Sequence, residues 1–360
     1  RRELTEVTRM LRDIQAGQRV RPNADIHPST AQGQQLGRGL IQFESAQVRQ
    51  VVTQRLTREI VGQPTGIQRR FTGPNLSGAT FGISNATQIQ SPVHKQIFVA
   101  GGETSYEVFD WSTQKWTLHE DSLFFNHRDG FSFVYDNKIM ICGGRSTNRV
   151  EYLDIADHES VCTFPVQLPE DCGKGVLCGD KILTFGQRVS ATSLKPPFRT
   201  TILYNYFDGR KLSGTGVAYV NENAVVILGG RDLNNPGEVK DDVSLYNPTT
   251  KQMSRLAPLP YTLYDMAVVV RNDDLIILGG CHGRGRPVDT VLMYNITSQH
   301  CRKLPKMLQK RSRCAAVIVE NAVIAIGGKT AEYLVLGERT WKELPEMNEY
   351  RYAPTAIVLP

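Results

Sequence analysis

The sequence lacks the features that would place the chain in a membrane or mark it as a metal protein. It contains no run of 18 apolar residues, so no segment is long enough to cross a bilayer as a helix. Its seven cysteines are scattered, with no Cys-x-x-Cys pair and no His–Cys cluster at the spacing of zinc ligands. The catalytic motifs GxSxG and HExxH are also missing. We therefore predict no catalytic residues, no metal and no cofactor.

The cysteine usage favours the cytoplasm. Cys142, Cys162, Cys178, Cys301 and Cys314 fall in or next to predicted strands, where buried thiols are common. Disulfides are typical of oxidising compartments, whereas thiols stay reduced in the cytosol. We therefore expect a cytoplasmic protein whose cysteines are buried thiols.

What the sequence does have is a repeat. Over roughly the last 260 residues, a short apolar run closes in a Gly-Gly pair five times, and a degenerate sixth copy ends in Gly186-Gln187. The pairs are Gly101-Gly102, Gly143-Gly144, Gly229-Gly230, Gly279-Gly280 and Gly327-Gly328. Successive copies lie 42, 43, 43, 50 and 48 residues apart. A period in this range is typical of a β-propeller with one four-stranded blade per repeat, so we predict an all-β fold with six blades.

Each repeat continues in the same order after its glycines. A polar loop of variable length leads to a second β-rich segment, such as 243–246, in which apolar and polar residues alternate. A tight turn rich in Asn, Asp, Pro and Ser follows, and then a short strand that starts with a bulky residue. In the third repeat we place the β-rich segment at 201–204, after a long loop from Gln187 to Arg199.

One copy of the repeat resembles the Kelch repeat. Gly101-Gly102 is followed by Val108-Phe109-Asp110 and then by Trp116, which is the order of the Kelch motif. The resemblance covers roughly residues 95 to 360 and implies a Kelch-type propeller. It also implies that the face formed by the loops binds partner peptides. The chain departs from the Kelch pattern at Gln187, which replaces a glycine, and at Met253 and Cys301, which replace Trp.

The two ends of the repeat region complement each other. The first repeat has no convincing inner strand before its glycine pair, because 91–94 breaks the pattern. The segment 351–359, in contrast, reads as an inner strand that no further repeat follows. This last segment matches 311–318 at Arg, Ala and the apolar tail. We therefore predict that the C-terminal strand supplies the inner strand of the first blade and removes an open sheet edge. The propeller domain would span 93–360.

Residues 1–90 form a different kind of segment. Apolar residues at helical spacing predict two short amphipathic helices, near 4–14 and 48–61. The stretch 16–42 between them is rich in Gln, Gly, Pro and Arg and is expected to be an extended linker. Two short helices cannot form a core of their own, so they must dock on the propeller, on each other or on another chain. Of these we expect an N-terminal arm that docks on a neighbouring chain.

The arm is also rich in arginine, which raises the alternative of nucleic-acid binding. Phe43, Phe71 and Phe81 are its only aromatic residues, which leaves few side chains for base stacking. We expect protein partners and neither a membrane nor a nucleic acid.

A set of arginines maps to the loops on one face of the predicted ring. The loops that follow the glycine pairs and those that lead into the inner strands carry Arg128, Arg145, Arg231, Arg284, Arg286, Arg311, Arg313 and Arg351. Guanidinium groups favour carboxylates or phosphates through bidentate hydrogen bonds, so we predict a partner-binding face that takes an acidic peptide or surface. The alternative is structural: an arginine before each inner strand would bond carbonyl groups near the channel. Aspartates on the same loops, among them Asp129 and Asp265, would partly neutralise the patch.

These expectations together give a function. We predict a non-catalytic protein–protein interaction module that acts as a scaffold or structural component of a larger assembly, including a cytoskeletal one. A substrate-recognition subunit of a ubiquitin ligase is the alternative, although no BTB or F-box segment is recognisable in 1–90. A propeller-fold enzyme, whose site would be assembled across blades, is a third interpretation.

Overall fold

The computed structural model describes residues 95–360, apart from 121, 157–159, 170–173, 206–211, 236–237 and 284. The arm predicted over 1–90, with its two helices and its docking role, lies outside these residues. All regular elements in the described part of the chain are β-strands. Accordingly, that part holds no helix with the length and apolarity needed to cross a membrane.

The strands form six antiparallel sheets of four strands each, which we call blades 1 to 6 and number in the order of the repeats. Within a blade, the first strand is the innermost and the fourth the outermost. Blade 1 comprises Thr355–Val358, Gln96–Ala100, Tyr106–Asp110 and Lys115–His119. Blade 2 comprises Phe131–Tyr135, Lys138–Cys142, Arg149–Asp154 and Cys162–Gln167. Blade 3 comprises Lys174–Cys178, Lys181–Phe185, Arg188–Ser193 and Thr200–Asn205.

The second half of the ring repeats this order. Blade 4 comprises Gly216–Asn221, Ala224–Leu228, Val243–Asn247 and Gln252–Leu256. Blade 5 comprises Ala267–Arg271, Asp274–Leu278, Val291–Asn295 and Cys301–Leu304. Blade 6 comprises Ala315–Val319, Ala322–Gly327, Thr330–Val335 and Lys342–Glu343. Two short ribbons decorate the loops, Leu212–Ser213 with Arg231–Asp232 and Cys281–His282 with Arg286–Pro287.

The six first strands contact one another in sequence around a ring and line a central channel, and the beginnings of these strands enclose a cavity of about 190 Å³ at one end of it. The ring closes through the C-terminal strand, which pairs antiparallel with Gln96–Ala100. In this register Ile97 lies opposite Val358 and Ala100 lies opposite Thr355. Both ends of the described chain therefore meet in blade 1, and the fold is a six-bladed β-propeller. The domain limits at 90 and 93 stay a prediction.

The core is divided among the blade interfaces. Within the described residues there are six buried apolar clusters, one between each pair of neighbouring blades. Blade 1 shows why its second strand is a continuous apolar run: Ile97 and Val99 pack towards blade 6, while Phe98 and Ala100 pack towards blade 2. A strand buried on both faces has no polar side to alternate with. The apolar run before each glycine pair is thus explained by its place between two blades.

Blade 3 corrects one detail of the sequence analysis. The predicted loop from Gln187 to Arg199 contains the third strand of this blade, Arg188–Ser193, and the predicted segment 201–204 belongs to the fourth strand. The polar loop found in other repeats is missing here, because the Gly186 N–H donates directly to the Arg188 carbonyl in a tight turn. The run Val-Ser-Ala-Thr-Ser has weak hydrophobic character, although Val189 and Ala191 are buried. This strand was missed from the sequence because no polar loop precedes it and because its own side chains are mostly polar or small.

Candidate functional site: the loop face of the ring

Two kinds of loop meet on one face of the ring. One kind leads into the first strand of a blade, and the other leaves its second strand after the glycine pair; we call this side the loop face. The residue four positions before a first strand, here called the lead-in residue, is His127 in blade 2, Leu263 in blade 5, Arg311 in blade 6 and Arg351 in blade 1. Its carbonyl accepts a hydrogen bond from the second glycine of the preceding blade in three cases: Gly230 to Leu263 (2.9 Å), Gly280 to Arg311 (2.8 Å) and Gly328 to Arg351 (3.0 Å).

The first glycine of a pair makes room for that carbonyl. At Gly279, whose φ is +59°, an added Cβ would lie 2.3 Å from the Arg311 carbonyl oxygen. At Gly229, with φ of +54°, it would lie 2.1 Å from the Leu263 carbonyl oxygen. The backbone of the next blade's lead-in loop thus packs directly against the Gly-Gly pair, where a side chain would collide with it.

Arg311 is held inside blade 6 by a buried carboxylate. Its Nε–H donates to Glu332 at 2.8 Å, and its Nη1 donates to the Gly327 and Thr330 carbonyls at 2.9 and 3.1 Å. Glu332 also accepts from the backbone N–H groups of Leu308 (2.6 Å) and Gln309 (3.3 Å) in the lead-in loop. The ion pair thus fixes the loop to its own blade.

Arg351 makes the same arrangement in blade 1. It is fully buried, its Nε–H donates to Glu107 at 3.2 Å, and its Nη1 donates to the Ser105 carbonyl at 2.9 Å. Glu107 accepts from the backbone N–H groups of Asn348 (2.9 Å) and Glu349 (3.2 Å). Burial lowers the pKa of Arg351 from its ordinary value, while the charge of Glu107 opposes that shift.

Blade 2 uses a histidine in this place. His127 is fully buried, with Nδ1 2.7 Å from the Gly143 carbonyl and Nε2 2.7 Å from Glu151. Glu151 accepts from the backbone N–H groups of Phe124 (2.9 Å) and Phe125 (3.3 Å). Since a carbonyl oxygen can only accept, Nδ1 is a donor. The imidazole therefore replaces the guanidinium in holding the loop.

Blade 5 replaces every member of this arrangement at once. Its lead-in residue is Leu263, and the third-strand position that holds Glu elsewhere is Leu292, which lies opposite Ile277. The loop position whose N–H would point at that carboxylate is Pro260, which has no N–H to donate. Cation, carboxylate and amide donor are therefore exchanged together for apolar packing.

The residue two positions after each lead-in residue has a positive φ and forms part of a rim around the channel. Asp129 (φ 64°), Asp265 (φ 56°) and Arg313 (φ 55°) occupy this position in blades 2, 5 and 6. Arg313 donates its backbone N–H to the Asp265 carbonyl at 2.8 Å and its Nε–H to the Asp265 carboxylate at 2.8 Å. Its Nη1 also lies 3.5 Å from Asp129, which pairs with Arg145 at 2.6 Å. The rim is a connected set of ion pairs.

Arg128 stands apart from these pairs. Its guanidinium lies over the ring of Tyr352, 4.1 Å from the ring centroid, in a cation–π contact. Its Nε is buried and has no hydrogen-bond partner in the described part of the chain. Arg313 also approaches the same ring, at 5.9 Å. Tyr352 is therefore a platform flanked by two guanidinium groups, one of which, that of Arg128, pairs with no carboxylate of the described residues.

The predicted arginines thus divide into groups. Arg311 and Arg351 are buried and bonded to carbonyls and carboxylates, which is the structural role that the sequence analysis gave as the alternative. Arg231 lies over the Tyr264 ring at 5.3 Å. Arg286 is exposed in a short ribbon, and Arg284 lies outside the described residues. The loop-face group consists of Arg128, Arg145, Arg231, Arg286 and Arg313.

The structure adds apolar side chains that the sequence analysis did not single out. Of the six large hydrophobic residues that are exposed in the described chain, five lie on loops of the loop face. They are Phe124 (63% exposed), Leu233, Leu308, Tyr350 (62%) and Tyr352. The sixth, Ile202, lies on the outermost strand of blade 3. Apolar exposure concentrated on one face marks an interaction surface rather than scattered surface residues.

A pocket of about 470 Å³ opens on this face where blade 6 meets blade 1, and we call it the seam pocket. Its walls are the lead-in loop of blade 6 over 309–314, the turn 327–330 and the lead-in loop of blade 1 over 350–353. The exposed rings of Tyr350 and Tyr352 form one side. The volume is in the range of sites that take a small molecule or part of a peptide.

Comparisons with known proteins agree with this architecture. A Kelch motif matches residues 262–308. The Kelch repeat and BTB domain-containing protein 2 of cowpox virus is 28% identical over 112 residues, 29% of this chain and 20% of its own length. An F-box/kelch-repeat protein of Arabidopsis thaliana is 33% identical over 88 residues, 21% of each chain. The matched part thus spans about a fifth of the length of these curated relatives.

A solved structure shows the same fold. The structure of YjhT superposes with a TM-score of 0.56 and covers 69% of this chain and 94% of its own. The sequence identity is 14%, so this likeness concerns the fold alone.

Proposed function

Because the chain is a Kelch-repeat β-propeller protein, we propose that it is a non-catalytic binding module whose loop face holds a partner protein within a larger assembly. The observation that carries this proposal is the concentration of exposed apolar side chains on that face: Phe124, Leu308, Tyr350 and Tyr352 all project from lead-in loops. Exposed aromatic groups next to arginines are the composition of protein–protein contact sites.

The loops that carry these side chains are held rigidly. Glu107, Glu151 and Glu332 each fix two backbone N–H groups of a lead-in loop. A surface that is ordered before binding loses less conformational entropy when a partner docks. The buried carboxylates therefore support binding by preorganising the face.

In this role the protein is a cytoplasmic scaffold rather than an enzyme. The carboxylates that reach the rim, Asp129 and Asp265, are engaged in ion pairs with Arg145 and Arg313. This arrangement suits a static recognition surface. The N-terminal arm would provide a second attachment, on a neighbouring chain.

The test is affinity capture with variants of the full chain. Phe124→Ser combined with Leu308→Ser removes two exposed side chains of the loop face without touching the buried carboxylates. Ile202→Ser removes a hydrophobic side chain that is 49% exposed from the outermost strand of blade 3 and is the control. We expect the double variant to lose a partner that the wild type and Ile202→Ser both retain. Equal retention by all three proteins would refute binding through this face.

A ubiquitin-ligase subunit is the second candidate. The names of the cowpox and Arabidopsis relatives include a BTB domain and an F-box, which favours this role over an unrelated one. The discriminating measurement is ubiquitin conjugation of the captured partner in cells that express the wild type or Phe124→Ser/Leu308→Ser. Conjugation that falls with the double variant indicates substrate recognition, and conjugation that does not change indicates a scaffold.

A further inference from the structure

The seam pocket has an unbalanced charge. Fifteen residues line it, of which five are basic and none is acidic. Arg311 and Arg351 are neutralised by Glu332 and Glu107, and Arg313 is neutralised by Asp265. These three arginines therefore contribute little net charge to a ligand in the pocket.

The remaining two cations are different. Lys310 lies in the lead-in loop of blade 6 and Lys329 in the turn 327–330; both are exposed, and neither has a carboxylate partner in the part of the chain that the structure describes. Arg128, whose guanidinium lies 4.1 Å from the centroid of the Tyr352 ring, is a third cation with no carboxylate partner among the described residues, and its buried Nε–H has no partner there either. A buried donor without a partner is unfavourable, so an acceptor supplied by a ligand would be favoured at this point.

The ligand that fits is peptide-like. The exposed Tyr350 and Tyr352 rings offer apolar area for side chains, while the exposed Lys310 and Lys329 of the same pocket can meet anionic groups. A nucleic acid fits less well, because its regularly spaced phosphates would also meet Asp129 next to Arg128 and Asp265 next to Arg313. Separate carboxylates can avoid those two aspartates.

We propose that the seam pocket binds an acidic protein segment, with carboxylate side chains at Lys310, Lys329 and Arg128 and an apolar side chain against the two tyrosines. The proposal rests on the protein-binding role of the loop face and names the chemistry of the partner. The proposal also links ring closure to binding, because residues 350–353 of the C-terminal segment form one wall of the pocket.

The experiment uses the full chain and a library of random 12-residue peptides. The library is panned on the immobilised wild type, and the most enriched sequence is synthesised with a fluorophore for anisotropy titration. We expect enriched peptides to carry a net negative charge and at least one large apolar residue. Panning that enriches neutral or basic peptides, or nothing, would overturn the proposal.

Variants locate the binding. Lys310→Glu/Lys329→Glu reverses two exposed charges in the pocket, and Lys303→Glu/Lys251→Glu reverses two exposed charges on outer parts of blades 5 and 4. We expect the Kd of the acidic peptide to rise at least tenfold for the pocket pair and less than twofold for the control pair. Arg128→Ala should raise Kd at least fivefold. Similar losses for both lysine pairs, or tighter competition by a 12-nucleotide dT strand than by the peptide, would contradict an acidic protein ligand.

The two proposals can fail separately. If Phe124→Ser/Leu308→Ser loses a partner while Lys310→Glu/Lys329→Glu retains it and the panned peptides are not acidic, the loop face binds proteins but the seam pocket is not an anionic site. If every loop-face variant retains the partner, the proposed protein-binding role of this face is refuted together with the seam-pocket proposal.

Discussion

Replacing Arg351 tests how the ring is closed. Arg351→Met removes the guanidinium but keeps a long apolar side chain, so Glu107 stays buried with the N–H donors of the 348–349 backbone and without its cation. Breaking one side of a buried ion pair costs about 3–5 kcal/mol, because the other charge is left uncompensated. At about 2–4 °C per kcal/mol for a domain of this size class, the melting temperature should fall by roughly 6–20 °C.

A second substitution separates the charge from the packing. Glu107→Gln in the Arg351→Met background removes the stranded charge, and its one amide oxygen can still accept from one of the two backbone N–H groups, that of Asn348 or that of Glu349. We expect the double variant to regain at least about 2 kcal/mol of the loss, since a neutral buried pair avoids the desolvation cost. Urea unfolding followed by fluorescence measures both free energies of unfolding. If the loss of unfolding free energy in the double variant equals the sum of the losses in the Arg351→Met and Glu107→Gln single variants, the coupling between the two residues is refuted.

Three further predictions concern the backbone, the closure and the thiols. Gly279→Ala should cost at least about 2 kcal/mol more than Gly283→Ala in urea unfolding: both glycines have φ near +58°, but an added Cβ is 2.3 Å from the Arg311 carbonyl at Gly279 and meets nothing within 4 Å at Gly283. Deleting all residues after Tyr350 should abolish soluble folding, because it removes Arg351 and exposes the edge of Gln96–Ala100, whereas deleting Pro360 alone should not; a long truncation that melts like the full chain would disprove the closure. Burial raises the pKa of the Cys314 thiol to about 11 from 9.0, so the stability that this thiol contributes is complete below pH 9 and is lost as the pH rises through 11; the free energy of unfolding should fall by up to about 3 kcal/mol in all, and Cys314→Ser should flatten the fall.

The repeat made most of the fold predictable. A Gly-Gly pair after an apolar run recurs with a steady step, and the tail 351–359 matches 311–318, which was enough to predict six blades and the pairing that the structure has between Thr355–Val358 and Gln96–Ala100. Blade 3 was read incorrectly because Arg188–Ser193 is short of apolar residues and follows a turn with no polar loop. Periodicity identifies an element only where its side chains show a pattern.

The site was predictable only in part. The positions of the arginines on one face follow from the repeat. Whether an arginine is exposed depends on whether its own blade contains a buried carboxylate that pairs with it, as Glu332 pairs with Arg311. A signal for this existed in the sequence: Glu107, Glu151 and Glu332 each interrupt an apolar strand, and His127 and Arg311 precede their glutamates by 24 and 21 residues. The Arg128–Tyr352 contact joins residues more than two hundred positions apart, and only the closed ring brings them together.

The central claim is that this ring holds its partner by the loop face, and hydrogen–deuterium exchange tests it most directly. The full chain is compared with and without the acidic peptide selected by panning. We predict slower exchange in the lead-in loops over 308–313 and 348–353, which form the seam pocket, and unchanged exchange at the turns on the opposite edge, 136–137, 222–223 and 320–321. Protection at those opposite turns, with none in the two lead-in loops, would contradict it.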